Sequence, residues 1–209
     1  MSPFSTPGPL PLDVRELDKL QELASIGSGH AITALAKLTR LRIDMDVPEA
    51  WVGRSAGAIA DFLGTLDRDL VTVGLRLGGV LAGHLVLALT EPDARRLAKH
   101  LGQPVPETGA WDPIADSSIM ESGNIVASAF VSAIADMLGE RLLPSIPSLA
   151  RGGGRDCLDR LIDRETCRVA LATRFLSRGT DAVEGLILVI PDERELPALL
   201  SALDWVGKA

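Results

Sequence analysis

An internal repeat at an offset of 99 residues limits the folds that this chain can adopt. The segment that begins at Glu22 aligns with the segment that begins at Glu121. The same register pairs Asp13 with Asp112, and both aspartates suit the N-cap position of a helix. Pro113 then stands at a position that suits the first helical turn. Each half of the chain is therefore predicted to contain a long helix that begins directly after an aspartate.

Paired strands form the rest of the repeat. Apolar and β-branched residues predict strands at 71–77 and 80–89, with the turn at Gly78 and Gly79. Equivalent strands are predicted at 167–175 and 182–190, where Gly185 matches Gly83. A short strand precedes each pair and a helix follows it. These are predicted at 41–47 and 141–146 for the short strands, and at 92–101 and 193–203 for the helices.

These elements predict an α+β fold in which two pseudo-symmetric halves share one antiparallel-type sheet. We expect a flexible N-terminal tail at 1–12 and a single domain at 13–209. The two repeats of that domain would span about 13–103 and 112–205. The glycine-rich stretch 151–155 is predicted to be a flexible loop.

Charge and hydropathy exclude several classes of protein. The net charge of −7 argues against nucleic-acid binding, which needs a basic stripe. No apolar stretch approaches the ~20 residues that span a bilayer, and the first dozen residues do not resemble a signal peptide. We therefore expect a soluble, cytoplasmic protein.

Other candidate sites are weak. The two cysteines, Cys157 and Cys167, are too few for a disulfide framework or a zinc site. The three histidines are scattered and are predicted to be packing or surface residues: His30, His84 and His100. Gly27-Ser-Gly29 lacks the preceding strand and third glycine of a dinucleotide fingerprint. Those glycines are predicted to permit close helix packing instead.

Each long helix carries a polar stripe opposite an apolar face, at ~100° per residue. On the second helix the stripe is Ser117, Glu121, Asn124 and Ser128, and the apolar face is Ile119, Gly123, Val126, Phe130, Ala133, Ile134 and Met137. On the first helix the stripe is Asp18, Glu22, Ser25 and Gly29, and the apolar face is Leu20, Ala24, Gly27, Ala31, Leu35 and Leu38. The simplest alternative is that both stripes are ordinary solvated faces.

The spacing within the stripes resembles a family signature. Ser117-x3-Glu121-x2-Asn124-x22-Pro147 is similar to the Asp/Ser-x3-Glu-x2-Asn-x22-Pro pattern of the CheC, CheX and FliY phosphatases. Asp18-x3-Glu22-x2-Ser25-x22-Pro48 matches the pattern at three of its four positions. The resemblance runs from about Leu17 to Leu203, and two motif copies in a chain of this length resemble CheC.

The resemblance implies a phosphatase that acts on the aspartyl-phosphate of a CheY-type receiver domain. Glu121 would form a salt bridge with the receiver's lysine, and Asn124 would orient the attacking water. Pro147 would have a structural role only. The Mg²⁺ would belong to the receiver, so no cofactor of the chain's own is expected. Ser25 replaces the asparagine in the first copy, so that site is expected to be weak or silent.

Two further possibilities come with the resemblance. A non-catalytic, receiver-binding adaptor of the same fold is the alternative function, since related flagellar-switch domains lack the motif. A CheD deamidase is a possible second partner. The internal pseudo-symmetry favours a monomer.

Overall fold

The structure, a computed structural model, describes residues 12–53, 68–103, 105, 111–161 and 169–206. Its elements follow in chain order: α1 (Val14–Thr39), β1 (Ile43–Met45), β2 (Glu49–Val52), β3 (Asp69–Gly78), β4 (Gly83–Thr90), α2 (Glu91–His100), α3 (Pro113–Leu138), β5 (Leu143–Pro144), β6 (Ser148–Gly153), α4 (Gly154–Leu161), β7 (Val169–Ser177), β8 (Glu184–Pro191) and α5 (Leu196–Val206).

The two long helices, α1 and α3, begin where the sequence predicts. Each has 26 residues, and their first residues are 99 positions apart, as in the sequence repeat. The side chain of Asp13 accepts a hydrogen bond from the backbone N–H of Glu16, which completes a capping box. The Asp112 side chain accepts from the backbone N–H of Ile114. Both predicted N-caps are therefore confirmed.

One antiparallel sheet contains the eight strands of the described residues: six follow the order β1-β7-β8-β4-β3-β5, and β2 and β6 pair with β7 and β3 beside this path. The two central strands, β4 and β8, come from different halves of the chain. The short strands cross between halves, because β1 and β2 pair with β7 while β5 and β6 pair with β3. The predicted α+β fold is confirmed, and its two halves are interlocked.

Helices cover both faces of this sheet. The larger core lies between one face and α1, α2, α3 and α5. A smaller cluster on the other face includes Leu158 of α4. Helix α3 has the length and hydropathy of a membrane span, but half of its most apolar window is buried inside the fold. Its buried residues belong to the larger core, as those of α1 do.

Helices α1 and α3 touch closely at Gly27. A Cβ atom at this residue would lie 2.4 Å from Cε2 of Phe130, which is fully buried. Only glycine leaves room for that ring, so the predicted packing role of Gly27 is confirmed.

Sequence reasoning missed or misplaced several elements. Strands β2 and β6 and helix α4 were not predicted, and the predicted loop at 151–155 is wrong. Residues 148–153 instead pair with β3, and the chain then enters α4. This segment is a strand because its backbone pairs with a strand that is distant in sequence. Its glycines do not predict that pairing.

Smaller corrections concern element boundaries. Residues 80–82 are not strand, because a 3-10 turn, Gly79–Leu81, joins β3 to β4. The last helix begins three residues later than predicted and places Pro197 in its first turn, where proline is tolerated. Leu38 is 38% exposed, because the buried ridge of α1 steps from Leu35 to Thr39. The predicted tail up to residue 11 and Cys167 lie outside the described residues.

Candidate functional site

The polar stripes lie on the outer faces of the two long helices. On α3 the side chains of Ser117, Glu121 and Ser128 are exposed, and Asn124 is half-buried. The equivalent residues of α1 divide similarly: Asp18 and Glu22 are exposed, and Ser25 and Gly29 are half-buried. The predicted division of each helix into a buried and an exposed face is confirmed, apart from Leu38. Each stripe is open to a partner.

Glu121 and Asn124 lie about one helical turn apart, so their side chains share one face of α3. Within the described part of the chain, neither side chain makes a hydrogen bond or an ion pair. The carboxylate and the amide therefore keep their full bonding capacity for an incoming molecule. A carboxylate suits a cation, and an amide both donates and accepts hydrogen bonds.

The sheet beneath Asn124 holds this part of α3 in place. A Cβ atom at Gly123 would lie 2.5 Å from Cγ1 of Val73 on β3, so the helix backbone sits directly on the strand. Asn124 is the next residue along the helix. The position of Asn124 is therefore set by the packed core beneath the helix.

Ser117 differs from Asp18, its counterpart in the first copy. The Ser117 hydroxyl donates a 3.0 Å hydrogen bond to the carbonyl of Pro113, one turn earlier in the same helix. This bond ties the hydroxyl to the backbone of α3. Ser117 therefore matches the sequence pattern, and its hydroxyl is engaged in a hydrogen bond within its own helix.

The prolines of the two patterns lie in the turns between the short strands. Pro48 is buried in the turn that joins β1 to β2, and its carbonyl accepts a 2.9 Å hydrogen bond from Nε2 of Gln21. Gln21 immediately precedes Glu22, so this turn lies beside the first stripe. Pro147, which is half-buried, occupies the equivalent turn between β5 and β6. The 22-residue spacing thus brings Pro48 back to its helix, and Pro147 lies between two strands that pack against α3.

A cluster at the start of α3 contains residues that sequence reasoning missed. Arg151 on β6 forms an ion pair with Asp116, which directly precedes Ser117. The Arg151 guanidinium also stacks 4.0 Å from the centroid of the Trp111 ring, and the Arg95 guanidinium lies 4.8 Å from the same centroid. These contacts fix the first turns of α3 relative to the sheet. At the repeat offset Arg151 corresponds to Val52, which cannot form an ion pair. The first copy therefore could not indicate this cluster.

The same cluster involves Glu91 at the start of α2. Hydrogen bonds from Arg95 and from the Trp111 indole hold the pKa of Glu91 below its usual value. Glu91 is therefore a partner of the arginine and the indole, and it serves to anchor α2 next to α3.

Other titratable residues lie away from the stripes. The Cys157 thiol is buried behind the sheet, its Sγ lies 3.4 Å from the carbonyl oxygen of Gly152, and burial raises its pKa. His84 is buried in β4, while His30 is exposed and His100 is half-buried. Among the described residues no group of three or more His, Cys, Asp or Glu side chains could hold a metal ion.

Comparison with known sequences identifies relatives for this arrangement. The model of the CheC-like family matches residues 16–51, which contain the first copy of the pattern. The CheY-P phosphatase CheC of Bacillus subtilis is 32% identical over 139 residues, 65% of this chain and 66% of that protein. The putative CheY-P phosphatase CheC1 of Halobacterium salinarum is 26% identical over 194 residues, 92% of this chain and 98% of that protein.

Solved structures share the fold. FliY of Thermotoga maritima superposes with a TM-score of 0.74 at 17% identity, over 94% of this chain and 100% of that one. The CheX–CheY–BeF3–Mg²⁺ complex of Borrelia burgdorferi superposes with a TM-score of 0.57 at 16% identity, over 82% of this chain and 99% of that one. By its sequence matches and its fold, this chain belongs to the CheC-like family.

Proposed function

We propose that this protein hydrolyses the aspartyl-phosphate of a CheY-type response regulator, and that α3 carries the active copy of the site. The observation that carries the proposal is the placement of Glu121 and Asn124 on one exposed face of a rigid helix, without partners among the described residues. Two proteins that are similar to this chain in sequence are named CheY-P phosphatases, and one CheX structure with the same fold is a complex with CheY.

Phosphoryl transfer from an acyl phosphate requires little from the enzyme beyond positioning. The bond to the phosphoryl group is already activated, and we expect Mg²⁺ and a lysine to be supplied by the receiver. What remains is to place a water in line with the breaking bond and to stabilise its approach. The Asn124 amide has the donor and the acceptor for this task. Glu121 would dock the helix through a salt bridge to the receiver's lysine.

The two copies are not equivalent under this proposal. Ser25 occupies the position of Asn124 but carries one hydroxyl on a shorter side chain, so it would not reach the water in the same geometry. Glu22 keeps the docking carboxylate. The degraded first copy also gives some support to the alternative function, a receiver-binding adaptor without catalysis. The CheD partner, the monomeric state and the cytoplasmic location stay predictions.

Glu121→Ala tests the docking role. We expect it to raise KM for the phosphorylated receiver by about tenfold, the range of a lost charge-assisted contact at an interface. Steady-state loss of label from the phosphorylated receiver gives KM and kcat separately. Glu22→Ala, at the repeat-equivalent position, is the matched control and should change KM less. Equal KM values for wild type and Glu121→Ala would rule out this role.

Ser25→Asn tests whether the missing amide makes the first copy weak or silent. In an Asn124→Ala background we expect this substitution to restore part of the lost turnover, because it returns the missing amide to α1. In the wild-type background the rate should at most about double, since two independent sites add. The measurement is the initial rate of dephosphorylation per chain. An unchanged rate in both backgrounds would sink the explanation.

A further inference from the structure

The turns between the short strands expose apolar side chains in both copies. Ile146 stands at the centre of the β5–β6 turn and is 89% exposed. Val47 stands at the centre of the β1–β2 turn, 99 residues earlier, and is 80% exposed. A single exposed apolar residue is ordinary on a protein surface. Here the same exposure recurs at equivalent positions of the two copies, and the residues next to them differ.

The two turns differ in the residue three positions before the exposed side chain. In the second copy this residue is Leu143, which is 73% exposed. In the first copy it is Asp44, which accepts a 2.6 Å hydrogen bond from Nε of Arg178. That guanidinium lowers the pKa of Asp44, so the first copy presents a charged, already paired group at this point. The apolar pair of Leu143 and Ile146 therefore belongs to the copy that also carries Asn124.

The β5–β6 turn is held firmly against the sheet. The backbone N–H of Ser145 donates a 2.8 Å hydrogen bond to the carbonyl of Arg76, and the Arg76 N–H donates to the Ser145 hydroxyl at 3.0 Å. The Ser145 hydroxyl in turn donates to the carbonyl of Ile146 at 2.9 Å. Ile146 is thus presented on an ordered turn, which lowers the entropy lost when a partner covers it.

This turn joins two strands, β5 and β6, that pack against α3, the helix that carries the second stripe. In the first copy the contact is explicit, because the Gln21 side chain bonds to Pro48 next to Glu22. A specific protein interface covers about 800 Å² of each partner, more than the four side chains of a stripe provide. A partner seated on Asn124 would therefore also cover the neighbouring turn.

We propose that Leu143 and Ile146 form an apolar contact for the phosphorylated receiver domain and direct it to the second copy of the site. This inference rests on the proposed function, which supplies the occupant. Glu121 would hold the receiver by charge, and the apolar pair would add burial that the first copy, with Asp44 at this point, lacks. Leu143 and Ile146 are docking residues and take no part in the chemistry.

The test compares Ile146→Asp with Val47→Asp, its matched control in the first copy. Binding of a beryllium-fluoride-activated CheY-type receiver to the full chain is measured by fluorescence titration. We expect Ile146→Asp to weaken binding by about tenfold to a hundredfold, the factor given by burial of one isoleucine side chain. At saturating receiver its kcat should equal that of wild type. Leu143→Ser should act in the same direction, and Val47→Asp should leave binding unchanged.

Because these side chains are exposed, each variant is expected to keep its fold. Thermal unfolding checks this. Equal affinities for wild type, Ile146→Asp and Leu143→Ser would overturn the inference and leave the proposed function standing. Equal losses in Ile146→Asp and Val47→Asp would also overturn it. If the wild-type chain neither bound nor dephosphorylated any CheY-type receiver, the proposed function itself would fail.

Discussion

Asn124→Ala is expected to lower the dephosphorylation rate by about 10²-fold, the loss that follows when a reacting group is no longer positioned. The substitution removes the amide that would orient the attacking water and leaves a small, helix-favouring residue. Glu121 and the packing of Gly123 on Val73 stay in place, so binding of the receiver should persist. The measurements are the rate of label loss at saturating receiver and the dissociation constant of the complex.

Ser25→Ala is the control for this result. It truncates the equivalent residue of α1 and should leave the rate unchanged, because the first copy already lacks the amide. A rate for Asn124→Ala equal to that of wild type would show that the amide has no role. Loss of binding together with rate would instead make Asn124 a docking residue.

Phe130→Ala is expected to cost about 3–5 kcal/mol of unfolding free energy, the usual range for removal of a buried aromatic ring. Its ring is fully buried and packs directly on the backbone of Gly27, where α1 and α3 meet. Alanine would leave a cavity between the two helices that carry the stripes. Urea unfolding followed by circular dichroism measures the loss. Ser132→Ala, on the exposed face of α3, should change stability by less than about 0.5 kcal/mol.

A double substitution tests the contact itself. Gly27→Ala alone should be strongly destabilising, because its Cβ atom would collide with the Phe130 ring. In the Phe130→Ala background the same change should cost far less, since the space is then free. If the two residues pack directly, the loss of unfolding free energy in the double variant differs from the sum of the single losses by more than independent sites show. Additive losses would contradict direct packing between these residues.

Helix starts and helix faces could be predicted because both depend on local sequence. Asp13 and Asp112 cap their helices through bonds to residues two or three positions away. Burial on α1 and α3 follows the 3.6-residue period, and most buried positions of one helix match those of the other at the repeat offset. The stripes on which the proposed site depends were visible for the same reason.

Two features could not be predicted in this way. One is the pairing of β5 and β6 with a strand of the other half, and the other is the set of Arg151 contacts that fixes the start of α3. Strand β6 forms because residues 148–153 pair with β3. The local sequence Arg151-Gly-Gly-Gly does not predict a strand. Arg151 reaches Asp116 and Trp111 only because that pairing brings β6 next to the start of α3. Contacts between elements distant in sequence depend on the assembled sheet, so they become visible only in the structure.

The most direct test of catalysis is the lifetime of a phosphorylated CheY-type receiver in the presence of a small, substoichiometric amount of the wild-type chain. If the protein is a phosphatase, each chain removes the phosphoryl group from many receivers, so the lifetime falls in proportion to the amount added. A lifetime that stays unchanged, while titration shows that the complex forms, would contradict catalysis and identify the protein as a receiver-binding adaptor.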